Sequence, residues 1–225
     1  MAIAENISSL QEKIRQTALE AKRNPADVTL LAVSKYATVD AVQEAYSCGL
    51  RDFGENRLQE GKRKVSQAPG DVNWHFIGHL QTNKVKEVIS HFSLIHSLDR
   101  YKLAARLSQA ASLVGKEVRV LIQVNIAQEK SKNGLAQGEV QDFLDEVVTL
   151  PNLKVEGLMA MAPFVENPEE VRPYFRQMKQ IYDTLTTPGV SFKHLSMGMS
   201  NDFSVAVEEG ATLIRIGSLI FSDID

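Results

Sequence analysis

Two cationic side chains interrupt stretches that are otherwise apolar. Lys35 follows the aliphatic run "LLAVS", and Arg215 lies inside "TLIRIGS", two residues before Gly217. An amine at the edge of an apolar surface can be desolvated, which frees its lone pair to attack a carbonyl and form a Schiff base. A lysine that simply caps the strand and carries its ammonium out to solvent fits the same local pattern. A guanidinium inside an apolar strand stays charged, so Arg215 requires an acceptor, either a buried carboxylate or an atom of a ligand.

A second set of residues suits phosphate. In "SMGMSND" and "RIGS", glycines Gly198 and Gly217 let the backbone approach an anion, and the hydroxyls of Ser196, Ser200 and Ser218 can donate to its oxygens. A helix beginning near Ser200 and Asn201 would add its positive end. Tight turns with capping serines give the same short clusters. Other constellations are weaker. His75 and His79 lie four apart in an apparent strand, with no third residue at metal-ligand spacing. "GMSND" has Asp202 where the nucleophile-elbow pattern needs a glycine. Met159 and Met161 fit barrel packing, and the single cysteine, Cys48, fits a buried, inert thiol. His79 and Asp99 are the available acid/base groups at strand ends.

These residues need a scaffold that brings strand ends together. Ile3, Ile7, Leu10, Ile14 and Ala18 recur every three or four positions and predict an N-terminal helix ending near "KRNP". Strand and helix patterns then alternate. The strands are "VTLLAVS", "LRDFGE", "NWHFIGHL", "FSLIHSLD", "EVRVLIQVNI", "LKVEGLMAM", "SFKHLSM" and "TLIRIGS", and each except the last is followed by a helix. About eight such units without a long linker predict one domain over residues 1–225, an α/β barrel of the TIM type; an open doubly wound sheet shares this periodicity. In a barrel the C-terminal strand ends form the functional face. Those ends carry Lys35, Glu55, Asn56, His79, Asp99, Asn125, the two methionines, and the segments around Ser196 and Arg215.

Composition excludes other classes. The chain has 225 residues, 24% of them charged, with a formal net charge of -3, so no basic excess points to nucleic acid or an anionic membrane. No apolar run reaches the roughly 18 to 20 residues needed to span a bilayer, and "MAIAENISSLQ" lacks the pattern of a secretion signal. A lone cysteine cannot form an internal disulfide. A soluble, cytoplasmic protein is expected.

Taken together, "LLAVSK", "FGENRLQE", "WHFIGHLQTNK", "QVNIAQEKSKNG", "GLMAM" and "HLSMGMSNDFSVAVEEGATLIRIGSLIF" resemble the pyridoxal phosphate homeostasis protein family, also called the YggS/PROSC family, over the full chain. The resemblance implies a fold type III barrel like the N-terminal domain of alanine racemases, without their second β domain, and hence a monomer. It implies pyridoxal 5'-phosphate held as a Schiff base on Lys35. Ser196, Met197 and Ser200 of "SMGMS", with Gly217 and Ser218, would hold the phosphate; Arg215 would face the pyridine nitrogen and Asn56 would lie near the ring. The implied role is cofactor homeostasis and amino-acid and keto-acid balance, with transient delivery to pyridoxal-phosphate-requiring apoenzymes and without established catalysis.

A guanidinium beside the pyridine nitrogen disfavours its protonation, which makes the ring a poorer electron sink. A racemase or lyase of low activity, or an aldolase that captures a sugar-phosphate carbonyl on Lys35, uses the same residues. Lys132 of "EKSKNG" matches a family lysine discussed as a second contact or transfer relay, and it can equally be a loop lysine. This chain departs from the family at Ala37, where a second lysine is common, and at Ser222, where the usual residue is glycine.

Overall fold

The computed structural model describes residues 3–129 and 132–222; Lys130 and Ser131, inside the motif "QVNIAQEKSKNG", lie outside the described residues. The eight expected strands form a closed parallel barrel in sequence order. They are β1 Thr29–Val33, β2 Asp52–Glu55, β3 Asn73–Phe76, β4 Leu94–Leu98, β5 Val118–Val124, β6 Leu153–Ala160, β7 His194–Ser196 and β8 Leu213–Ile216. Closure is made between β1 and β8, in register from Thr29 opposite Leu213 to Ala32 opposite Ile216, and this rules out the open sheet.

The helices are α1 Ile3–Glu20, α2 Val39–Ser47, α3 Leu58–Val65, α4 Val85–His91, α5 Tyr101–Val114, α6 Val140–Val147, α7 Arg172–Thr184, α8 Phe203–Glu208 and α9 Ser218–Phe221. The α1 stripe of Ile3, Ile7, Leu10, Ile14 and Ala18 is buried, as its spacing requires. Most of the core lies between the strands and the helices, where one continuous apolar cluster extends around the barrel. Leu94, Leu121 and Met159 form a separate small cluster with Met161 against it. No helix among the described residues is long and apolar enough to cross a membrane.

Three boundaries differ from the sequence expectation. β3 ends at Phe76, so His79 belongs to the following loop and not to a strand. α8 starts at Phe203 and not near Ser200, because the Asp202 carboxylate accepts the Met199 N–H at 2.6 Å and closes a turn over the intervening residues. A further helix, α9, follows β8, where the strand was expected to close the chain. Its four residues are too few for periodicity to reveal; it buries Ile220, whose carbonyl accepts the Asn6 side-chain amide of α1 at 3.2 Å.

Candidate functional site

The C-terminal strand ends open into a cavity of about 600 Å³ whose lining includes Lys35, Asn56, Arg215, Gly217, Ser200 and Ser218. Val33, Ile77, Met159 and Met161 supply apolar walls beside these polar groups. Ser196 and Met197 do not line it: both are fully buried below the mouth. The structure therefore brings six of the eight expected site residues together and places the other two beneath them.

Lys35 follows β1 in a short turn and is exposed, with its ammonium 4.8 Å from the ring centroid of Tyr36. The residue before it is firmly held. Ser34 donates its hydroxyl to Glu55 Oε1 at 2.6 Å, and Lys64 of α3 donates to both the Ser34 carbonyl and Glu55 Oε1, the latter at 2.6 Å. Lys64 and Glu55 are 1% and 0% exposed. A fully buried ion pair of this kind is costly unless each charge is compensated, so its place directly under the Lys35 turn fixes where that turn begins. Sequence reasoning missed Lys64, which sits in the basic run "GKRKV" and reads as a solvated helix face.

Arg215 comes from β8 and is 5% exposed. Its Nη1 donates to Ser196 Oγ at 2.7 Å and its Nη2 to the Ala160 carbonyl at 2.9 Å. Among the described residues no carboxylate forms a salt bridge with it, so the acceptor posited from sequence is a hydroxyl and a carbonyl. Of its five N–H groups, three have no protein partner among the described residues. Burial lowers its pKa to about 10, with Asp202 opposing, and it remains a cation at neutral pH.

Behind Arg215 runs a buried chain that sequence reasoning did not find. Ser196 Oγ lies 3.2 Å from His96 Nδ1, His96 Nε2 lies 3.0 Å from His75 Nδ1, and His75 Nε2 lies 3.3 Å from Asp52 Oδ1. His96 of β4 and Ser196 of β7 sit on strands that are not neighbours, so these side chains meet inside the barrel. His75 is thus engaged by His96 and not by His79. His79 lines the cavity mouth with its Nδ1 3.7 Å from Asp99 Oδ2. Among the described residues no cluster of His, Cys, Asp or Glu is arranged to hold a metal ion.

The two glycines of the expected phosphate loops differ. Gly217 lines the cavity. Gly198 has φ +91°, and a Cβ there would meet the Ala206 Cβ at 2.5 Å, so this glycine serves a left-handed turn and close packing on α8. Ser222 also lines the cavity and has φ −67° and ψ 147°, a conformation open to any residue, so the family glycine is not needed here. Lys132 is drawn to Glu129 Oε1 at 2.6 Å and to the Ala162 carbonyl at 3.2 Å, outside the cavity lining.

An open barrel mouth that gathers an amine, a buried guanidinium with free N–H groups and two hydroxyls around apolar walls suits an aldehyde-bearing aromatic phosphate. The Ser200 and Ser218 hydroxyls have no protein partner among the described residues, so the donor set fits such a ligand. The comparisons agree with this class of site. The family described as "Alanine racemase, N-terminal domain" matches residues 2–225. The pyridoxal phosphate homeostasis protein of Aquifex aeolicus (strain VF5) is 43% identical over 99% of both chains, and that of Escherichia coli (strain K12) is 40% identical over 97% of this chain and 95% of the other.

PipY of Synechococcus elongatus PCC7942, solved with pyridoxal phosphate bound, superposes with a TM-score of 0.84 at 35% identity, covering 98% of this chain and 100% of that one. An alanine racemase of Clostridium difficile 630 shares the fold at a TM-score of 0.76 and 14% identity; this chain covers 56% of it. The chain belongs to the alanine racemase N-terminal domain family and, within it, to the pyridoxal phosphate homeostasis proteins.

Proposed function

We propose that this chain binds pyridoxal 5'-phosphate in the barrel-mouth cavity and serves the homeostasis of that cofactor, without a dedicated catalytic reaction. The observation that carries this reading is the meeting of Lys35 and Arg215, from opposite ends of the sequence, on one cavity with unpartnered hydroxyls. The full-length likeness to PipY with its bound cofactor supports it. Pyridoxal phosphate, when bound, supplies an aldehyde that condenses with an amine, and Lys35 is the amine of the cavity. Gly217, Ser200 and Ser218 are assigned to the phosphate, Asn56 and the apolar walls to the ring, and Arg215 to the ring nitrogen. Ser196 and Met197 support this set from below.

Two features favour holding over turnover. A guanidinium at the ring nitrogen disfavours protonation there, which weakens the ring as an electron sink. The cavity is also open to solvent beside the exposed Lys35, which suits exchange with apoenzymes more than a water-excluding reaction. A racemase or lyase role would depend on a second general acid/base group in the lining, such as His79, and would require turnover of amino acids that Lys35→Ala abolishes.

The test is the absorbance of the purified protein with added pyridoxal phosphate, before and after borohydride, followed by peptide mass analysis. Wild type should show a visible band and, after reduction, a pyridoxyl adduct on the peptide holding Lys35, with both absent in Lys35→Ala. A wild-type protein that stays colourless and unmodified overturns the assignment.

A further inference from the structure

The chain behind Arg215 can be given a direction, and one direction satisfies every member. A guanidinium only donates, so Ser196 Oγ accepts from Arg215 Nη1. The Ser196 hydroxyl must then place its own proton, and its other contact is His96 Nδ1. That nitrogen is therefore bare, and the His96 proton sits on Nε2, facing His75 Nδ1. The His75 proton sits in turn on its own Nε2, facing Asp52, where an ionised carboxylate ends the chain as an acceptor. The reverse order fails at the serine. A doubly protonated His75 would force the His96 proton onto Nδ1, and Ser196 Oγ would then receive two donors and lose the acceptor for its own proton.

The electrostatics agree with this order. Burial above all holds the His96 imidazole well below its ordinary pKa, with the Arg215 charge acting in the same direction, so it is neutral. Burial raises the Asp52 carboxyl, but hydrogen bonds from His75 and Asn73 work against it, and the group lies below its usual range, ionised. Asp52 begins β2 and borders a separate groove with Thr29 and Arg51, at the end of the barrel opposite the cavity. Arg215, Ser196, His96 and His75 are buried, where a missing partner is expensive and a satisfied one fixes orientation; Asp52 at the end of the chain is half-buried.

We infer that His75 and His96 are positioning residues for Arg215: both are neutral Nε2–H tautomers, and with Ser196 they form a one-way hydrogen-bond chain that runs through the barrel from the cavity to Asp52. The chain holds the guanidinium in one arrangement, because turning it would break its hydrogen bonds to Ser196 Oγ and the Ala160 carbonyl. Its effect on bound cofactor rests on the proposed pyridoxal phosphate site, whereas the tautomers do not.

The experiment therefore has two arms on the full chain. Long-range proton–nitrogen NMR of the cofactor-free protein at neutral pH reads the ring nitrogens; a protonated Nε2 and bare Nδ1 are expected in both histidines. A proton on His96 Nδ1, or a His75 imidazolium, overturns the chain. In the second arm, pyridoxal phosphate release and the position of its absorbance band are followed in Ser196→Ala, Ser196→Thr and His96→Leu. Ser196→Ala should release about tenfold faster with a shifted band, the loss expected when a hydrogen bond to a charged group is removed, and Ser196→Thr should stay near wild type. His96→Leu should follow Ser196→Ala. Unchanged release and band in Ser196→Ala overturn the positioning role. If wild type takes up no pyridoxal phosphate, the site assignment fails while the tautomers still decide the chain.

Discussion

The two cations of the cavity are supported in opposite ways. Beneath Lys35 lies a pair of opposite charges, Lys64 with Glu55, which clamps the backbone at Ser34 and leaves Glu55 Oε2 without a partner among the described residues. Lys35 itself is exposed in a turn, its ammonium facing the Tyr36 ring. Behind Arg215 the arrangement is inverted: the side chain is buried and held, and Ser196, His96 and His75 lead from it toward a distant carboxylate. In the proposed site, an amine that must reach a ligand and let it go benefits from a fixed base and an exposed tip. A guanidinium that faces the ring in that proposed site benefits from a fixed tip. The charged clamp should therefore be fragile to the loss of one partner, and the neutral chain fragile to the loss of direction.

The largest effect should come from breaking the clamp. Lys64→Met leaves the Glu55 carboxylate buried without its partner, and a loss of about 3 to 5 kcal/mol is expected in urea unfolding. Pyridoxyl labelling of Lys35 should slow as well, since the turn loses its fixed start. Removing both charges, as in Lys64→Met with Glu55→Leu, should recover much of the stability without recovering the labelling rate. If the single substitution costs less than about 1 kcal/mol, the pair is not the anchor it appears from its burial to be.

The neutral chain should show itself in acid. Folding depresses the His96 pKa, so the unfolded chain takes up a proton first as pH falls through the ordinary imidazole value of about 6.5. The sign follows from linkage: stability is intact above that pH and declines below it, by up to about 1.4 kcal/mol per pH unit for each such histidine while it stays neutral in the fold. His194 adds to the same limb, because burial lowers its pKa against the pull of Glu156. The Asp52 contribution is separate, lost only below the carboxylate range of about 3.9. Urea unfolding between about pH 7.5 and 5.5 should show a shallower slope in His96→Leu than in wild type, and equal slopes would remove His96 from this account.

Much of this architecture was legible in the residues, and the missing part has a common cause. The alternation of strand and helix predicted the barrel, and Lys35 and Arg215 stood out because each breaks an apolar run. Arg215 lies inside a strand and Lys35 two residues past the end of one, and a charge at either place must answer to something. His96 gave no such signal, since every residue of β4 is buried and a strand covered on both faces has no alternation to read. Lys64 was hidden for the converse reason, a buried cation in a helix whose neighbours Lys62 and Arg63 are ordinary surface charges. Ser196 was read as a phosphate contact because it shares a glycine loop with Ser200, but the strand extends through it and turns its hydroxyl into the barrel. Closure, which decides what lies inside, is a non-local property and leaves no mark on local periodicity.

The smallest expected effect separates the clamp from the loop that it precedes. Thr38 caps α2, its Oγ1 accepting the Ala41 N–H at 3.1 Å, only three residues beyond Lys35. Thr38→Ala should cost about 1 kcal/mol, as the loss of an N-cap does. It should nevertheless leave Lys35 labelling by pyridoxal phosphate unchanged, because the turn is fixed from the Ser34 side, where the carbonyl takes both Lys64 Nζ and the Ala37 N–H. Stability and labelling would then part company in this variant, whereas Lys64→Met lowers both. Should Thr38→Ala slow labelling as much as Lys64→Met does, the helix cap and not the buried ion pair sets the Lys35 turn, and the contrast between a clamped base and a clamped tip no longer holds.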